Sequence, residues 1–162
     1  MKRKLFQNIC RKTANNLSKR YFPELNGKKI FVFVPIFFRK AYSGLSVSIP
    51  PFPRMLFINK ERASESNSYL RGLIAHELGH QSLYTARKLK DNIRTGILYW
   101  FNSKIRRKEE DDVNKLIIER GLARDLYETT KKIENIKVDA NIQKYYMSAE
   151  EIKFYAKKIC KW

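Results

Sequence analysis

His76-Glu77-Leu78-Gly79-His80 contains both histidines of the chain. On a helix, positions i and i+4 share one face, so two imidazoles at this spacing reach the same ion. Neutral imidazole is a ready ligand for zinc, which in catalytic sites keeps one position open for water. Glu77 follows the first histidine and is placed to act as general base toward that water. Leu70, Leu73, Ile74 and Leu78 recur at helical spacing and give the helix an apolar side. Ser64 or Ser66 caps its start. Gly79 in mid-helix costs helix propensity and points to a close neighbour.

The motif is carried by 162 residues, enough for one domain with its own core. Apolar residues make up 43%, which excludes a disordered chain. The formal charge is +18, from 34 Lys and Arg against 16 Asp and Glu spread along the whole length. Such a surface attracts nucleic acid, anionic membrane or acidic protein partners. The longest apolar run, residues 30–38, is interrupted by Pro35 and falls short of the ~20 residues that span a bilayer. No apolar stretch follows the basic N-terminus as a signal peptide requires. The expectation is a soluble, cytoplasmic protein, with peripheral membrane attachment open to its basic residues and the 96–101 patch. Cys10 and Cys160 are expected to be reduced and unpaired.

Periodicity predicts helices over 3–20, 66–87, 92–106, 109–120, 123–136 and 148–160. Strands are predicted over 28–35, 45–49 and 54–59, with Pro50, Pro51 and Pro53 as a rigid break. The fold class is therefore α+β: one domain over 1–162, with a small N-terminal antiparallel or mixed sheet and a helical remainder. Its core is expected over about 28–122, flanked by terminal helices at about 3–20 and 123–160.

A catalytic zinc needs a third protein ligand, and no third histidine exists. The acidic run Glu109-Glu110-Asp111-Asp112 supplies candidates, with a cysteine as the lesser alternative. Glu110 shares a helix face with Val113, Asn114, Ile117 and Gly121, the face best able to pack inward. Glu109, Asp111 and Asp112 fall on other faces, where acid near a helix start is simply solvated. Asn114, one turn beyond Glu110, is placed to hydrogen-bond a histidine and fix its tautomer.

HELGH followed some 30 residues later by Glu110-Asp-Asp-Val-Asn114 resembles the gluzincin group of zinc metallopeptidases. The arrangement is similar to the Glu-x-x-Ala-Asn/Asp pattern of ImmA/IrrE-type peptidases and of the membrane CAAX-prenyl and HtpX-type enzymes. The size and lack of membrane spans resemble the soluble minigluzincins most. Val113 and Ile117 stand where the family has a small residue, and the likeness covers roughly residues 54–122. It implies a zincin-like fold, one Zn2+ held by His76, His80 and Glu110, and Glu77 as catalytic base. It implies hydrolysis of peptide bonds in a peptide or protein substrate through a metal-activated water. It also implies that Arg54, Met55, Leu56, Phe57, Ile58 and Asn59 form the edge strand that pairs with substrate. An exposed strand edge offers free N–H and C=O groups for that purpose. Tyr145 and Tyr146 are candidates for stabilising the oxyanion.

Two other readings compete. In one, the chain is a latent or degenerate metalloprotein that acts as a basic module on nucleic acid or an anionic surface, although no compact basic motif with interleaved aromatics is present. Alternatively its termini block the site, with Cys10 or Cys160 capping the metal as thiolate.

Overall fold

A computed structural model describes residues 2–36, 43–48, 53–61, 66–135 and 144–162. Six α-helices and three strands are found among them: α1 (Arg3–Tyr21), β1 (Ile30–Phe33), β2 (Gly44–Val47), β3 (Arg54–Ile58), α2 (Asn67–Ala86), α3 (Leu89–Phe101), α4 (Ser103–Glu119), α5 (Ala123–Asn135) and α6 (Ala149–Lys158). The class is α+β. Ser64, Ile49, Pro50, Pro51 and Ile136, expected as a cap, a strand end, a break and a helix end, lie outside the described residues.

The motif helix α2 is the centre of the molecule. Ser66 caps it, accepting a hydrogen bond from the Tyr69 N–H. Tyr69, Leu70, Leu73, Ile74, Ala75 and Leu78 are all buried, along with Gly72 and Gly79, so more than one face is covered. Gly72 explains how α5 comes so close. A Cβ there would lie 2.2 Å from the Asp125 carbonyl oxygen and 2.2 Å from Thr129 Oγ1. Gly72→Ala is expected to destabilise the fold by about 1–3 kcal/mol, since the backbone of α5 must give way. Urea unfolding measures this, and an unchanged midpoint would mean that the helices pack less tightly than described.

The sheet is mixed, in the order β1-β3-β2. β3 pairs in parallel with β1, Ile30 opposite Arg54, and antiparallel with β2, Gly44 opposite Ile58. This corrects the expectation for Arg54, Met55, Leu56, Phe57, Ile58 and Asn59. Their strand is the central one, with neighbours on both sides, and is not an edge. Leu56 and Ile58 are fully buried, as a middle strand's residues are. α1 covers the outer side of β1, where Gln7 donates to the Val32 carbonyl (2.9 Å) and Arg3 to the Val34 carbonyl. Among the described residues, β2 is the strand with an open edge. The Asn59 N–H donates to the Ser43 carbonyl (2.9 Å), and antiparallel alternation then turns the N–H and C=O of Gly44 and Ser46 outward.

Two further expectations change. The boundary between the third and fourth helices lies at Asn102, not between 106 and 109. Its side chain accepts from the Lys104 and Ile105 N–H groups (3.0 and 3.1 Å) and starts α4 there. The core also extends beyond 28–122. Phe6, Cys10 and Leu17 of α1, Leu126 of α5, and Ile152 and Ala156 of α6 belong to the same hydrophobic cluster as Leu56, Ile74 and Ile117. No helix among the described residues is long and apolar enough to cross a membrane.

Candidate metal centre

His76 and His80 stand one turn apart on α2, with ring centroids 5.0 Å apart. Glu110 arrives from α4, on the buried face shared with Val113, Asn114 and Ile117. α4 comes this near because residue 79 is glycine. A Cβ at Gly79 would lie 2.9 Å from Val113 Cγ1 and 3.4 Å from Ile117 Cδ1.

Glu110 Oε2 lies 3.0 Å from His76 Nε2 and 3.6 Å from His80 Nε2. The ligand atoms of all three residues lie within 4.8 Å of one another. Ligands ~2.0–2.1 Å from a tetrahedral zinc stand roughly 3.3 Å apart, so the three atoms are spaced to share one ion. His76 Nδ1 lies 3.2 Å from Asn114 Oδ1. An amide oxygen only accepts, so Nδ1 carries a proton, and in the neutral ring the Nε2 lone pair is left facing Glu110. Glu110 Oε2 is buried without a hydrogen-bond donor. In that neutral form electron-rich atoms meet in a buried space, which a proton or a metal cation can satisfy. The donor set of two imidazoles and a carboxylate suits zinc.

Electrostatics agree. Burial alone would raise the Glu110 carboxyl, yet positive charge on the facing imidazoles, His80 first, holds it far below the usual carboxylate range. Burial pulls His80 down, and Glu110 outweighs it, bringing the imidazole up to about 8.

The rest of the acidic run has other partners. Buried Glu109 receives two hydrogen bonds from Arg87 Nη1 (2.8 Å to each oxygen). Asp111 pairs with Arg107 (3.0 Å). Asp112 has no ion pair among the described residues.

Glu77 is buried beside the two histidines, and desolvation raises its carboxyl above the usual value. It faces β2 at Gly44, where a Cβ would come within 2.4 Å of Glu77 Oε1. Only glycine leaves room for this carboxylate under the strand. Gln81, one turn on, ties the same strand down by donating to Ser46 Oγ (2.6 Å) and the Val47 carbonyl (3.0 Å).

Of the two tyrosines, Tyr146 is at the site. Its ring centroid lies 6.1 Å from that of His76, and burial, then the charge of Glu110, keeps its hydroxyl protonated. Arg107 fixes that segment by donating to the Lys144 and Tyr146 carbonyls (3.1 and 2.9 Å). Tyr145 is not there: it lies under the Arg106 guanidinium, 4.4 Å from its ring centre. A cavity of about 390 Å³ opens beside the site, lined in part by Gly44, Leu73, His76, Glu77, Asn114 and Tyr146.

Tyr99 was not foreseen. It donates its hydroxyl to Glu110 Oε1 from α3, leaving Oε2 to face the histidines. Helical spacing carried the signal, because Tyr99 falls on the opposite side of α3 from Ile93, Ile97 and Trp100. Neither cysteine joins the site. Cys10 is buried in the core, its thiol pushed up to about 12 by burial, and Cys160 is exposed; both are free. The metal-ligating group among the described residues contains no sulfur.

No family model, curated protein or solved structure matches this chain. The site is therefore argued from its own residues.

Asn114→Ala is expected to weaken zinc binding by about 10–100-fold, because it releases the His76 tautomer. Zinc titration against a competing chelator measures it. Unaltered affinity would mean that Asn114 serves packing alone.

Proposed function

We propose that this chain is a zinc-dependent peptidase with a zincin-like fold. The observation that carries the proposal is the convergence of His76, His80 and Glu110 beside a cavity that His76, Glu77 and Gly44 of the open strand β2 line. His76, His80 and Glu110 would hold the ion, which when bound supplies Lewis acidity to water and to the scissile carbonyl.

The chain's own residues account for the remainder. An extended peptide adds to the outward N–H and C=O groups of Gly44 and Ser46 on β2. This puts its backbone next to Glu77, a role first expected of β3. A water oxygen attacks the carbonyl carbon, and Glu77 accepts the proton it releases. Glu77 returns that proton to the leaving nitrogen as the C–N bond breaks, giving a carboxylic acid and an amine. Tyr146 keeps its phenolic proton and can donate to the oxyanion.

The test is metal content and hydrolysis together. Protein purified without chelator is expected to carry one zinc per chain and to cleave a quenched fluorescent peptide library. Removing zinc with phenanthroline abolishes cleavage, and equimolar zinc restores it. A chain that takes up no divalent metal would overturn the proposal.

A further inference from the structure

Helix α3 buries none of its residues completely. Its inner side is held by polar contacts: Asn92 donates to the Tyr84 carbonyl (2.8 Å) and Tyr99 to Glu110. Its outer side carries Leu89, Ile93, Ile97, Trp100 and Phe101. All five are exposed, Trp100 by 61% and Phe101 by 86%. At 100° per residue they fall within a sector of roughly 120°. Lys90 falls inside this sector next to Phe101 and Arg94 just past the same edge, and Lys88, Lys104 and Lys108, also exposed, lie in sequence before and after the helix. None of these five cations is in an ion pair among the described residues. The one acid on the helix, Asp91, points away from the apolar sector.

A helix with an exposed apolar face, cations along one edge of it and aromatic side chains at one end is suited to the interface plane of an anionic bilayer. We propose that the outer face of α3 docks on an anionic lipid surface. The five apolar side chains enter the acyl boundary, and the cations reach the headgroups on their flexible stems. Charge decides between occupants. A second copy of this chain would bring +18 against +18. A nucleic acid would satisfy the cations and leave the apolar sector in water. The peptidase reading is not needed for this surface to act, and the test does not measure activity.

Full-length protein is mixed with vesicles of equimolar phosphatidylglycerol and phosphatidylcholine, or of phosphatidylcholine alone, and sedimented. A Trp162→Phe background leaves Trp100 as the fluorescent reporter. The expected result is co-sedimentation with the anionic vesicles only, with a blue shift of Trp100 emission. The triple variant Ile97→Ser, Trp100→Ser, Phe101→Ser and the double variant Lys90→Ser, Arg94→Ser each lower the partition coefficient roughly tenfold or more. Phe154→Ser, exposed on α6, leaves it unchanged. These side chains are at the surface, so far-UV circular dichroism is expected to match the parent. Three results would overturn the proposal: no vesicle binding, vesicle binding that the triple variant retains, or a dimer in solution that the triple variant abolishes.

Discussion

Glu77→Gln is expected to lower kcat/KM by about 10²–10⁴-fold with zinc content unchanged. Glutamine has nearly the same shape, so it fits the space that Gly44 leaves beneath β2. It cannot accept a proton at the position where Glu77 does. Glu77 is outside the group that would hold the ion, so the ion stays. Steady-state hydrolysis of the quenched peptide and elemental analysis of the same preparation give both numbers. Retained activity would place the general base elsewhere. Loss of metal together with activity would mean that Glu77 supports the ligands.

Glu110→Ala is expected to weaken zinc binding by more than the roughly 100-fold that removing an outer partner of a ligand brings. The two histidines remain, and two imidazoles without the carboxylate leave a catalytic site short of its three protein ligands. Zinc at ~100 times its Kd stabilises a folded protein that binds it by about 2.7 kcal/mol. The parent chain is expected to gain thermal stability with zinc, and the variant to gain almost none at the same concentration. Circular dichroism separates this from unfolding, and Glu110→Gln keeps the volume if alanine disturbs the core. Full zinc stabilisation of both variants would shift the third ligand to another residue of the acidic run.

Much of this site was readable from spacing, because a helix repeats its faces regularly. His76, His80, Glu110 and Asn114 needed only the 3.6-residue period on two helices. The close neighbour implied by Gly79 was real: it is Val113, with Ile117 beside it. Strand order was not readable. A five-residue apolar strand looks alike at the edge or in the middle of a sheet, and only the partners of Arg54–Ile58 decide between them. The partners of a charged run were hidden too. Arg87 and Glu109 lie 22 positions apart in sequence, with nothing local to pair them. In α1, Phe6, Cys10, Ala14 and Leu17 recur at helical spacing and face the core, so its inward side was legible even though the helix lies outside the expected 28–122 span. The latency reading loses its support at this end, since α1 is part of the folded body and not a flap over the site.

Gly79 touches neither Glu110 nor the histidines' meeting point, yet it sets the gap between the helices that bear them. A side chain at position 79 would press on Val113 and Ile117 and push the helix that carries Glu110 away from the one that carries the histidines. The approach of the carboxylate to both imidazoles thus depends on a hydrogen atom where another residue would carry a methyl group.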